Sequence, residues 1–200
     1  EKIFAAPGNG GIAGLAECFP VKATDIDGML ELAKKLQPDY VFVAPDDPLV
    51  LGMVDKLNDA GFKTFGPRAN AAILEGSKVF SKALMKKYNI PTAGYETFTD
   101  ADKAVEYIKA QNSYPAVIKC DGLALGKGVI IAKDFDEAKD AVHSMLLDGK
   151  FGASGSEIVV EEFMTGPEVT VLAFTDGKTV KPMISSMDHK RAYDNDEGLN

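Results

Sequence analysis

The segment Ala116–Ile131, AVIKCDGLALGKGVII, constrains this chain more than any other: two apolar runs flank a glycine- and lysine-rich loop, and a lysine stands inside the first run. Successive side chains of a strand point to opposite faces, so Val117 and Lys119 share one face while Ala116, Ile118 and Cys120 share the other. Both faces are apolar, and an ammonium there is costly or loses its proton unless an anion pairs with it. A bound phosphate is one such anion. Gly122, Gly126 and Gly128 free the loop of Cβ atoms, which lets backbone N–H groups close over a polyanion, and Lys127 adds a positive charge. Read alone, the segment is also compatible with a plain glycine-turned hairpin whose lysine snorkels to solvent. It matches neither the GxxxxGK[ST] loop nor GxGxxG.

Downstream, IVVEEFMTGPE (residues 158–168) is an apolar strand that ends in two carboxylates, an aromatic residue, a turn and a further glutamate. Period two places Glu161 with Val159 and Phe163, opposite Glu162. An exposed extended backbone beside Phe163 and Met164 suits an adenine ring, read by main-chain hydrogen bonds between apolar walls, and Glu168 is placed to accept from ribose hydroxyls. Without that ligand the segment reads as an ordinary strand with solvated glutamates.

The first third of the chain alternates short apolar runs with helical patterns. Residues 2–6, 39–44 and 63–65 read as strands, residues 25–36 as a helix with Met29, Leu30, Ala33 and Leu36 on one stripe, and a second helix follows Pro48 and stops at Gly61. That order implies a parallel sheet with right-handed crossovers, whose ligands sit at the carboxyl ends of the strands. The loops APGNGGIAG (6–14) and APDDPLV (44–50) lie at such ends. Helices follow over 69–74 and 77–88, with an interruption near Gly76. Beyond Pro91 come a strand (93–98), a helix (100–111), the Lys119 and Val129 strands, a helix over 134–147 and the Ile158 strand. The stripe Phe135, Ala138, Val142, Met145 and Leu146 is core. Asp176-Gly177, between apolar runs 169–174 and 178–182, signals a two-residue hairpin turn. The charged run after it reads, by itself, as a solvated loop.

A phosphate-cradling lysine and glycine loop, then a helix, then a strand ending in an acidic-aromatic hinge, resembles the ATP-grasp superfamily. The words LEGSKVFSKALMKKYNIPTAGYETF (74–98), IKCDGLALGKGVIIA, GKFG (149–152), IVVEEFMTGPE and DHKRAYDNDEGLN (188–200) resemble, in order and over nearly the whole chain, the phosphoribosylamine–glycine ligase family. The resemblance implies an α/β fold: a truncated Rossmann-like parallel-sheet N-domain (1–76), a connecting helix and strand (77–98), an ATP-grasp lid subdomain (99–164) and the start of the central antiparallel sheet (165–200). It implies ATP, glycine and phosphoribosylamine as ligands, with Lys78 and Lys119 on the nucleotide phosphates. Residues 121–128, with Asp121, Gly122, Gly126, Lys127 and Gly128, become a lid; Glu161, Glu162, Phe163 and Met164 the adenine hinge; Glu168 a ribose ligand. Pro45, Asp46 and Pro48 are implied substrate contacts. Asp188, Lys190 and Arg191 form the substrate-facing turn, Asp188 holding an amino group and Arg191 a carboxylate or phosphate, with His189 a hydrogen-bonder or proton carrier.

The resemblance also implies that the family's opening strand precedes Glu1 and that its magnesium or manganese ligands lie beyond Asn200. No metal ligand is therefore assigned within residues 1–200, and these residues alone are not expected to complete the reaction. Ala44, Asp46, Pro167 and Met187 depart from the family's usual residues. Another purine-pathway ATP-grasp ligase and a non-catalytic nucleotide-binding module are the alternative readings.

A net charge of −8 argues against nucleic-acid binding by bulk electrostatics. Cys18 and Cys120 form no metal or disulfide pattern and fit free thiols in a reducing cytoplasm. No apolar run approaches the roughly 20 residues of a membrane span, and the expected oligomeric state is a monomer.

Overall fold

In the computed structural model, which describes residues 2–123, 128–187 and 192–194, the chain forms two units, Glu1–Phe163 and Met164–Asn200. The first begins with short parallel pairs. Strand β1 (Phe4–Ala5) lies beside β2 (Glu17–Cys18), and β3 (Val41–Phe42) beside β4 (Thr64–Phe65). Helices α1 (Ile26–Leu36), α2 (Asp46–Val50), α3 (Met53–Asp59) and α4 (Ala69–Gly76) accompany them. Leu30 and Ala33 of the predicted α1 stripe meet Val43, Leu49, Met53, Val54, Leu57 and Ala72 in one apolar cluster.

The parallel pairing is as the alternation of strand and helix requires, with three differences. These strands pair two by two instead of forming one continuous ladder, because Pro7, Pro45 and Gly66-Pro67 follow them closely and proline withholds the N–H a longer ladder needs. Strand β2 is unanticipated: two residues long and half exposed, it carries no apolar run. The helix expected after Pro48 begins at Asp46 and breaks into α2 and α3 at Gly52, whose φ of +86° is a left-handed conformation that glycine adopts without strain.

The rest of the first unit comprises α5 (Lys78–Tyr88), β5 (Tyr95–Phe98), α6 (Ala101–Gln111), β6 (Ala116–Cys120), β7 (Val129–Ala132), α7 (Phe135–Leu146) and β8 (Ile158–Glu162). The four strands make one antiparallel sheet in the order β5-β8-β6-β7. Capping explains where its helices start. Asp100 accepts from Lys103 N–H at 3.1 Å and Asp134 from Glu137 N–H at 2.9 Å, each satisfying an N–H that the helix itself leaves unpaired. Glu137 reaches back to Lys133 N–H at 2.8 Å.

Helices α6 and α7 cover one face of this sheet. Ile118, Cys120, Ala132, Ile158 and Val160 point into a core closed by Ala104, Ile108, Ala138, Ala141, Val142 and Met145. The alanines let both helices approach the sheet closely. Val117, Lys119, Val159 and Glu161 point to the opposite face, so the core-facing side is filled and the other side carries the charges.

The second unit contains the hairpin β9 (Ala173–Thr175) and β10 (Val180–Pro182). Thr175 pairs with Val180, so the loop has four residues instead of the two that Asp176-Gly177 suggested. The Asp176 side chain causes the difference: its Oδ1 accepts from Lys178 N–H at 2.9 Å and Thr179 N–H at 2.7 Å, closing a wider turn than a backbone bond closes. These bonds hold its carboxyl below the usual carboxylate range.

Candidate functional site

Lys119 finds its anion inside the protein. Its Nζ lies 2.8 Å from Glu161 Oε2, across the β6–β8 pair, while the other carboxylate oxygen lies 3.3 Å from Lys82 Nζ on α5. The register that sets Val117 opposite Glu161 and Lys119 opposite Val159 places both side chains on the face away from α6 and α7. Glu161 is buried, and so is Lys82, which also donates to Thr92 Oγ1 at 2.7 Å and lies 5.2 Å from the centre of the Tyr95 ring. Two ammoniums on one carboxylate leave the cluster with a net positive charge. Lys119 is its more accessible member, with 27% of the side chain exposed against 10% for Lys82.

The sequence reading missed Lys82. Its signal was the spacing Lys78-x-x-x-Lys82, which puts two lysines on one helical face, but Lys86 and Lys87 on the same helix are exposed and differ from it in no local feature.

Next to this cluster the end of β6 is tied to the start of α5. Ser77 ends α4 and opens α5 with an extended φ of −140°, its Oγ accepting from Phe80 N–H at 3.0 Å and donating to Asp121 Oδ1 at 2.9 Å. The same Asp121 oxygen accepts from Val79 N–H at 2.8 Å. Lys78 Nζ donates to the carbonyls of Asp121 at 3.4 Å and Gly122 at 3.1 Å. Asp121 and Lys78 thus brace the root of the glycine loop. Its two ends are held together where Cys120 N–H donates to Gly128 O at 2.8 Å. A Cβ on Gly122 would run into Ser154, so a side chain there has no room. Gly126 and Lys127 lie outside the described residues.

Strand β8 leads to the residues expected as a hinge, but it lies between β5 and β6, so Glu161 has paired strands on both sides where an exposed edge was expected. Glu162 exchanges two bonds with Gly94, donating from its N–H at 3.0 Å and accepting on Oε1 at 2.9 Å. Phe163 and Met164 are exposed. Glu168 belongs to the second unit. In the amino-terminal part, Pro45 and Asp46 are exposed at the carboxyl end of β3 and the start of α2, while Pro48 is fully buried beneath them. Asp188, His189, Lys190 and Arg191 lie outside the described residues. Cys120 faces the α6–α7 core; burial pushes its thiol upward, and nearby Lys78 offsets part of that.

A positive, partly exposed lysine beside a braced glycine loop is an arrangement that takes an anion. The β7 edge of this face adds apolar contacts: Val129 and Ile131 are exposed there, opposite Lys119 and Val117. Phosphate and an apolar ring together are what a nucleotide presents.

Comparison with known proteins identifies the family. Residues 1–75 match the family described as phosphoribosylglycinamide synthetase, N domain, and residues 76–200 match the ATP-grasp (A) domain of the same synthetase. The phosphoribosylamine–glycine ligase of Halalkalibacterium halodurans is 44% identical over all of this chain, which covers 46% of that protein. The crystal structure of the Thermotoga maritima phosphoribosylamine–glycine ligase superposes with a TM-score of 0.82 at 31% identity, over all of this chain and 47% of the other. N5-carboxyaminoimidazole ribonucleotide synthetase from Thermotoga maritima shares the fold at 22% identity and a TM-score of 0.63, over 90% of this chain and 44% of that one. The chain spans about half the length of the curated relatives it matches.

Proposed function

Because this chain belongs to the phosphoribosylglycinamide synthetase family, we propose that its protein joins glycine to 5-phosphoribosylamine at the expense of ATP, giving glycinamide ribonucleotide, ADP and phosphate. ATP supplies the phosphoryl group that activates the glycine carboxylate as glycyl phosphate, and the amine of phosphoribosylamine displaces phosphate from it. The observation that carries this reading is the Lys82–Glu161–Lys119 cluster beside the glycine loop, on the sheet face away from α6 and α7.

The residues present fit a nucleotide. Lys119, with Lys78 nearby, offers charge to the phosphates, and charge neutralisation with positioning is the main protein contribution to phosphoryl transfer. Residues 121–128 close over the phosphates and keep water from the acyl phosphate. Glu161, Glu162, Phe163 and Met164 hold the adenine, and Glu168 the ribose. In the first unit Pro45 and Asp46 contact substrate, with the buried Pro48 supporting them; Asp188, Lys190 and Arg191 are further substrate contacts. Magnesium or manganese is assigned no ligand among residues 1–200. No helix among the described residues is long and apolar enough to cross a membrane. The reading places a monomer in the cytoplasm.

The test is release of ADP from ATP by the full-length protein with glycine and phosphoribosylamine supplied together or singly. Turnover is expected only with both, and Lys119→Ala is expected to weaken ATP binding about tenfold or more, the loss of a charge-assisted contact. ATP binding with no glycine-dependent turnover favours a nucleotide-binding module instead.

A further inference from the structure

Glu161 is shared by two lysines that differ in how firmly they are held. Lys82 is buried and saturated: Glu161 Oε1 at 3.3 Å, Thr92 Oγ1 at 2.7 Å and Ala93 O at 3.4 Å surround its ammonium, and the Tyr95 ring lies at 5.2 Å. Lys119 is more exposed, and among the described residues Glu161 Oε2 at 2.8 Å is its hydrogen-bond partner. A buried carboxylate stripped of its last cation is strongly unfavourable. Lys119 can therefore turn to an incoming anion only if something else keeps Glu161 neutralised.

We propose that Lys82 is a positioning residue that stays on Glu161 and so releases Lys119 to bind nucleotide phosphate. This rests on the nucleotide reading above. Lys82 touches no substrate in this scheme and acts through Glu161. With both lysines present, Lys119 exchanges one anion for another and Glu161 keeps its partner. Without Lys82, Glu161 holds Lys119 and competes with the phosphate.

The experiment measures ATP affinity and steady-state kinetics in the full-length protein for wild type, Lys82→Met, Lys82→Arg, Glu161→Gln and Lys82→Met/Glu161→Gln. Lys82→Met is expected to raise the Kd and KM for ATP about tenfold, the size of one charged hydrogen bond, with kcat changed far less. Lys82→Arg restores most of the affinity, since a guanidinium also carries the charge. In the Glu161→Gln background, where no carboxylate competes for Lys119, adding Lys82→Met is expected to change ATP affinity little, as coupling between contacting residues requires; the raised KM at nearly constant kcat and the rescue by arginine are what a purely structural role does not produce. The double variant buries no unpaired charge, so it remains informative even where Lys82→Met folds poorly.

Wild-type ATP affinity in Lys82→Met, or an equal loss in both backgrounds, overturns the proposal. Failure of the wild type itself to bind ATP overturns the nucleotide reading and this proposal with it.

Discussion

The Asp121 carboxylate accepts a hydrogen bond from Val79 N–H at 2.8 Å, tying the residue that follows β6 to the first turn of α5 more than forty positions earlier. Ser77 Oγ binds the same oxygen, so the helix start is closed by one local and one distant side chain. Asp55 does the same for α4, accepting from Ala69 N–H at 2.8 Å. Both are caps built from tertiary structure. Asp121→Ala is expected to lower stability by about 1–2 kcal/mol, as loss of a helix cap does, and to loosen the loop root that Lys78 also holds. Asp121→Asn keeps an acceptor and should recover much of the loss. Urea unfolding of the three proteins decides it; an alanine variant as stable as wild type shows that Ser77 suffices.

Gly155, in the chain leading into β8, packs against the end of α7. A Cβ there would stand 2.5 Å from Met145 O, a backbone atom at the end of a helix whose other side is buried in the core. Neither partner is a flexible tip that can swing aside. Gly155→Ala is expected to destabilise the protein by about 1–3 kcal/mol, the range for overpacking, whereas Gly149→Ala meets no neighbouring atom and loses only what its φ of +63° demands. Comparing the two melting temperatures separates steric crowding from backbone strain. A Gly155→Ala protein no less stable than Gly149→Ala contradicts the close approach.

The two free cysteines should differ sharply in reactivity. Cys120 has no exposed surface, and burial raises its thiol so that less thiolate is present near neutral pH. Cys18 is half exposed on the edge of the β1–β2 pair. A thiol reagent added to the native protein is expected to modify Cys18 quickly and Cys120 only as the α6–α7 core opens. Cys18→Ser removes the fast phase. Two equally fast phases in the wild type would sink the assignment of Cys120 to a closed core.

Several parts of this fold are legible in the sequence because one local pattern determines them. Alternation sets Ile118 and Cys120 against Val117 and Lys119, and the sheet buries the first pair in the α6–α7 core. The stripe of Ala138, Val142 and Met145 becomes core for the same reason. Lys119's need of an anion was also legible, but its partner in this structure is Glu161, 42 positions away. What sequence could not show depends on distance or on a side chain standing in for backbone. Lys82 is a helix lysine like Lys86 until α5 packs on the sheet. Ser77 caps α5 locally, but the second acceptor at that helix start, Asp121, arrives only when the chain folds. Strand β2 exists because β1 offers it an edge.

The hairpin of the second unit offers a test governed by pH. Asp176 accepts from Lys178 and Thr179 N–H as a carboxylate, and those bonds lower its pKa in the folded loop. A group whose folded pKa lies below its unfolded value contributes stability above the unfolded pKa and loses it as pH falls through the folded one. The loop is therefore expected to be intact above the ordinary aspartate pKa of about 3.9 and to loosen at more acidic pH. The amide chemical shifts and hydrogen exchange of Lys178 and Thr179 report this directly, moving together along one titration curve. Asp176→Asn keeps an acceptor that does not ionise, so the same amides should stay bonded without a titration. Asp176→Ala should expose them at every pH. An acid midpoint for these two amides at or above that of an unstructured aspartate contradicts the carboxylate's role in closing the turn.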